Sequence, residues 1–165
     1  MHIGRIVAIV GALIGVVGLF FKGATSDGES LLPALNQANP AFPDGLPTVW
    51  GGLDTLAQVL VVIAIVIVVV LAVRPPIKVA QDRNAALVTS VLGVALMVYA
   101  VVKLIEARDD ASALQDAFAQ AAAGGAVPQA FTVSTGVGFL VVIIGTALVA
   151  LGGVLGLMGN SDQDA

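Results

Sequence analysis

The chain has 165 residues, 58% of them hydrophobic and only 11% charged, with a mean hydropathy of +1.03. A soluble domain carries about 25% charged residues, and a chain this short has no water-facing fold that buries so much Val, Ala, Leu, Ile and Gly; a bilayer removes the difficulty, because the same side chains can face lipid. The net charge of −4 leaves no basic footprint for nucleic acid, and the lack of Cys excludes disulfides, thiolate metal sites and Cys nucleophiles.

A hydrocarbon core about 30 Å thick needs ~20 mainly apolar residues per helix, and four stretches qualify. The first runs from Ile3 to Phe21, broken only by Arg5, which is expected to snorkel to the headgroups. It is long for a signal-peptide core, and Lys22-Gly23-Ala24 makes a poor cleavage site, so it reads as an uncleaved helix. It carries Gly11-x-x-x-Gly15 with Gly4, Ala8, Ala12 and Gly18, the small-residue spacing through which membrane helices approach closely.

A Pro- and Gly-rich loop follows, about 22–54. ESLLPALNQA predicts a short amphipathic turn with Leu31, Leu32 and Leu35 towards the membrane, and Phe42 and Trp50 read as interfacial anchors. The second segment, Thr55–Val73, is coated with Val and Ile, has no Gly, and is the helix expected to face lipid. Arg74, Pro75 and Pro76 stop it, and a short loop (74–84) leads to the third segment, Ala85–Ile105, in which Ala86, Ser90, Gly93, Met97 and Ala100 share a face.

The next loop, about 106–131, begins with EARDDASALQDAFAQAAAGG, which reads as a helical continuation of the third segment, ended by Gly124-Gly125. Lys103 is a further interfacial anchor, one turn inside the border and spaced i,i+3 from Glu106. Residues Ser134 to Gly138 read as a flexible lead-in to the fourth segment, Thr132–Met158, whose Gly138, Gly145, Gly152 and Gly156 make it a second contact helix. The fold class is therefore an all-α membrane protein, four transmembrane helices in one antiparallel bundle, with the third extended beyond the membrane.

Orientation follows from Lys and Arg in short loops. Arg74, Lys78 and Arg83 crowd 74–84, and Arg5 lies at the same end, so both belong to the cytoplasm, as do both termini. The two longer loops carry Asp27, Glu29, Asp44, Asp54, Glu106, Asp109, Asp110 and Asp116 and lie outside. Four helices with a Trp-bearing first outer loop, locally Val49-Trp50-Gly51-Gly52, resemble the topology of claudins and other tetraspan proteins; the paired Cys of those families are missing, and no functional residue carries over.

The chemistry is sparse. The lone His2 sits at the N-terminus, out of reach of a Ser, so neither a triad nor a His-based metal centre can be assembled, and no cofactor is expected. The acidic group at Glu106, Asp109, Asp110 and Asp116 lacks EF-hand spacing and reads as a solvated helix face. No ionisable group lies at the middle of any segment, where a proton or ion pathway would need one. Thr89, Ser90 and Thr146, with Lys103 at the mouth, offer the only polar face for the alternative of a small oligomeric channel or transporter. The Lys-poor, Ala- and Gly-rich composition points to a prokaryote. The leading expectation is a non-enzymatic accessory or assembly subunit of a larger envelope or respiratory complex in the plasma (inner) membrane. Its partners would be the lipid bilayer and other membrane proteins or further copies of itself.

Overall fold

The computed structural model describes residues 1–161; the end of the C-terminal tail, which the orientation above assigns to the cytoplasm, lies outside the described residues. These residues form helices α1 (Ile3–Leu19), α2 (Leu32–Ala38), α3 (Thr55–Val73), α4 (Arg83–Ala123) and α5 (Gly138–Ser161), with two short strands, β1 (Ala24–Ser26) and β2 (Val133–Thr135). Among the described residues three helices, α3, α4 and α5, are long and apolar enough to cross a membrane; α1 is apolar but, at 17 residues, shorter. The protein is thus a largely helical, membrane-type chain.

Helix α1 lies antiparallel against α5, and the contact is made by backbone. A Cβ placed on Gly4 would stand 2.7 Å from the Gly152 carbonyl oxygen, one on Gly11 2.6 Å from that of Gly145, and one on Gly18 2.7 Å from the Val142 nitrogen. From the other side, a Cβ on Gly145 would meet the Gly15 Cα at 2.6 Å, and one on Gly152 the Ala8 nitrogen at 2.6 Å. Gly15 differs: its own Cβ would find only the Gly145 Cα, at 4.0 Å. A second seam joins α5 to α4, where Gly93 abuts Ala150 and Gly153 abuts Ser90, each leaving a Cβ 2.7 Å from the facing Cα; at Gly156 the fit is looser, 3.1 Å to the Ala86 Cβ.

Helix α3 buries one stripe, Ala57, Val61, Ala64, Val68 and Ala72, holds Ile65 and Leu71 half-buried beside it, and leaves its other Val, Leu and Ile side chains exposed. That stripe closes the side of the bundle opposite α5, against Ala100 and Leu19 at one end and Ala8 and Ala12 at the other.

Helix α4 is continuous over 41 residues, about 60 Å at 1.5 Å per residue, so the expected extension of the third segment is one unbroken rod. Asp82 Oδ1 caps its start by accepting from the Ala85 N–H at 3.0 Å. At its end the Gly125 N–H donates to the Ala122 carbonyl and the Ala126 N–H to that of Ala121, a Schellman closure that needs Gly125 at φ +73°.

The far end of α4 carries a small folded head. Strands β1 and β2 pair antiparallel, with Ala24 opposite Thr135 and Ser26 opposite Val133. Residues 133–135 lie inside the expected fourth segment, with Ser134 and Thr135 in its flexible lead-in; they are instead held in this ladder, and α5 starts only at Gly138. Leu32 and Phe118 are fully buried in the core of the head, with Phe42, Leu46, Ala111 and Val133 around them. Leu32 thus faces the core of the head and not the membrane surface.

Two outcomes follow. Gly145→Leu or Gly152→Leu, by forcing α1 off α5, should cost roughly 3 kcal/mol or more, the upper range of overpacking, whereas Gly15→Ala should change stability by under about 0.5 kcal/mol; unfolding in detergent followed by circular dichroism measures both. Phe118→Ala, which empties the centre of the head, should cost about 3–5 kcal/mol there and raise amide exchange in 24–46 and 111–135 while the glycine seams stay protected.

Candidate functional site

Polar side chains gather at the two ends of the bundle. At one end lie His2, the 74–82 turn and the last turns of α5: the His2 N–H donates to the Ile77 carbonyl at 3.1 Å, and a Cβ on Gly159 would meet the His2 ring nitrogen at 2.8 Å. His2 Nδ1 accepts from the Gly4 N–H at 3.2 Å, capping α1, so this residue is built into the end of the bundle.

Arg5 organises that end. The expected snorkelling does not occur: the side chain is 4% exposed and turns inward across the end of α3. Its Nη1 donates to the carbonyls of Ala72 (3.1 Å) and Arg74 (2.6 Å), Nε to Val79 (3.0 Å) and Nη2 to Ala80 (3.2 Å). Helix α3 ends with carbonyls that no helical N–H can reach; the guanidinium satisfies those of Ala72 and the capping Arg74, and its bonds to Val79 and Ala80 tie the turn to α1. Beside it lies a cavity of about 370 Å³, walled by Arg5, Arg74, Pro75, Val79 and Asp82.

At the other end the 48–53 turn closes over α1. The Val49 N–H donates to the Phe21 carbonyl (2.9 Å) and the Trp50 N–H to that of Leu19 (2.8 Å), while Gln58 Nε2 donates to the carbonyls of Trp50 and Leu53. Trp50 itself is half-buried against the bundle core. Phe42 does not serve as an interfacial anchor: it is buried, 5.9 Å from the Phe118 ring, and Phe118 in turn meets Phe131 edge-on at 5.4 Å. Lys103 donates to Glu106 Oε2 at 2.6 Å and lies 5.9 Å from the Tyr99 ring centroid. Lys22 pairs with Glu29. Between α4 and the 41–47 loop runs a cleft of about 400 Å³, walled mostly by Ala, Gly and Pro, with Asp110 its one charged lining residue.

Between the two ends the bundle interior is apolar. A narrow crevice follows α3 past Gly11, Leu19, Val61, Val68 and Ala100 and exposes no polar surface. The Thr146 hydroxyl, at its edge, donates back to the Val142 and Ile143 carbonyls, and the Thr89 hydroxyl donates to Ala85. Ser90 lies in the α4–α5 seam against Gly153.

The structure thus brings together Gly11, Gly15, Gly145 and Gly152 in one seam and Gly93 in the other, with Gly156 beside Ala86. It separates Phe42 from Trp50 and Lys103. The inward course of Arg5 and the capping by Asp82 are the functions that sequence reading missed. The signal for Asp82 was an Asp immediately before a helical run; Arg5 had no local signal, because its partners are 67 to 75 residues away. Among the described residues no group of three His, Cys, Asp or Glu is placed to hold a metal ion.

Arg5→Met keeps most of the volume but removes four hydrogen bonds, so it should free the 74–82 turn. Tryptic cleavage after Lys78 should quicken at least about tenfold, as expected for losing ~1.4 kcal/mol or more of local protection; unchanged cleavage would deny the clasp its role. No family model matches this sequence, and no curated protein and no solved structure matches it either.

Proposed function

We propose that the chain is a four-helix protein of a prokaryotic plasma (inner) membrane, in which α1, α3, the first half of α4 and α5 cross the bilayer. The support for counting α1 is its pairing: Gly4 meets Gly152 and Gly18 meets Val142, so α1 runs beside α5 through nearly its whole length. The turn at 74–82 carries Arg74 and Lys78, with Arg83 just after it, and by the positive-inside rule faces the cytoplasm with both termini; the acidic head faces outward.

Its function, on this reading, is non-enzymatic: an accessory or assembly subunit of a larger envelope or respiratory membrane complex, engaging other membrane proteins through the head. The observation that carries this is the head itself. It has its own core around Phe118 and stands on a helix continuous with the bundle, so a load on the head is passed rigidly to the membrane part. The glycine seams support the same location, because they are occupied within the chain and the surface left in the bilayer is bulky Val, Leu and Ile. The channel alternative would need a polar lining, and its hydroxyls at Thr89 and Thr146 are already bonded to their own helices.

Purification from native membranes in mild detergent should recover the chain in fixed ratio with other membrane proteins. The double change Asp109→Lys, Asp116→Lys, on exposed turns of the head, should release them without altering the thermal unfolding of the chain. A homogeneous homo-oligomer that passes solute in liposomes would overturn this reading.

A further inference from the structure

The cavity beside Arg5 has a chemistry that neither the fold nor the subunit role requires. Two arginines, Arg5 and Arg74, are among its lining residues, and Asp82 is its single acidic residue, with one carboxylate oxygen engaged in capping α4. Four of the five guanidinium N–H groups of Arg5 are directed at carbonyls, which satisfy hydrogen bonds but leave the positive charge uncompensated. Among the described residues neither Arg5 nor Arg74 is in an ion pair. A buried cation without a counter-charge is costly, and here it faces about 370 Å³ of open space. Apart from Gln81 the other lining residues are apolar, among them Leu71 of α3 and Pro75, Pro76 and Val79 of the turn that follows it. Two arginines and several apolar residues in one cavity match a phosphate that carries an apolar body.

We propose that this cavity binds an anionic phosphodiester headgroup, with Arg74 bonding the phosphate oxygens and the Arg5 charge behind it, and with the acyl chains lying along α3. The inference goes beyond the subunit reading and rests only on the chain residing in a membrane. Lys78 and Arg83 are exposed and do not line the cavity. They separate a built site from general attraction to a basic turn, since each neutralisation removes the same unit of charge. Arg74 contributes its backbone carbonyl to the clasp, which a side-chain substitution leaves in place.

The test is native mass spectrometry of the full chain in an uncharged maltoside detergent, titrated with dioleoylphosphatidylglycerol, dioleoylphosphatidylcholine or inorganic phosphate. One phosphatidylglycerol should bind about tenfold more tightly than phosphatidylcholine, the scale of one charge-assisted hydrogen bond. Arg74→Gln should erase that preference with no change in thermal unfolding, while Lys78→Gln and Arg83→Gln should each keep it within about twofold, as expected of exposed charges. Inorganic phosphate at millimolar concentration that displaces the lipid would assign the same site to free phosphate as a source; failure to displace it would assign the site to the lipid. Equal binding of the two lipids, or equal losses from Arg74→Gln and Lys78→Gln, would overturn the proposal.

Discussion

Helices α1 and α5 meet backbone to backbone at their glycines, with small or β-branched side chains such as Ala8, Ala12 and Val149 packed beside them. In water such a contact is driven by burying apolar surface; on the proposed membrane reading that drive is small, because lipid tails are as apolar as Leu and a helix exchanges one hydrocarbon neighbour for another. What remains is dispersion between closely packed atoms, which falls steeply with distance. Gly4, Gly11, Gly18, Gly145 and Gly152 let the two backbones reach that distance along nearly the full length of α1. Gly93 and Gly153 extend the same solution to α4. The three helices form the rigid part of the molecule, and α3 is laid against them by a single stripe of small and β-branched side chains.

Both ends depend on this arrangement. Because α1 is held against α5, Arg5 stands where the carbonyls at the end of α3 and in the following turn converge on it, and the turn inherits the rigidity of the seam. At the opposite end the 48–53 turn bonds to the carbonyls of Leu19, the last residue of α1, and Phe21 just beyond it, and β1, which follows α1, reaches β2 just before α5 begins. The two strands are therefore extensions of the two glycine-packed helices, and the Thr25 and Ser134 hydroxyls, 3.1 Å apart, continue the pairing at the surface. The head grows from the α1–α5 contact, with α4 supplying Phe118 to fill it.

The parts legible in the sequence were those governed by local pattern. Apolar runs located the long helices, the glycine spacing marked the helices that pack, and Gly124-Gly125 marked the end of α4. The long-range partnerships were not legible. Residues 134 and 135 read locally as part of a flexible lead-in to a helix, and only a partner 109 residues earlier, as between Thr25 and Ser134, makes them a strand. Phe42 in a Pro-rich loop reads as an interfacial anchor until Phe118 is placed opposite it. Arg5 near a helix start reads as a snorkelling residue, and its inward course depends on carbonyls contributed by a distant turn. In each case composition gave the right chemistry, and the tertiary partner decided which way the side chain faced.

The central claim is that the glycine helices pair within one chain. The protein has no Cys, so the double change Ala8→Cys, Val149→Cys gives a clean background, and both residues lie in the same buried cluster of α1 and α5. Oxidative cross-linking in native membranes, read by gel mobility and peptide mass, should yield an internal disulfide between the two introduced thiols in a product of monomer size. A cross-link found only between two chains, or none under conditions that oxidise a surface pair, would contradict the account.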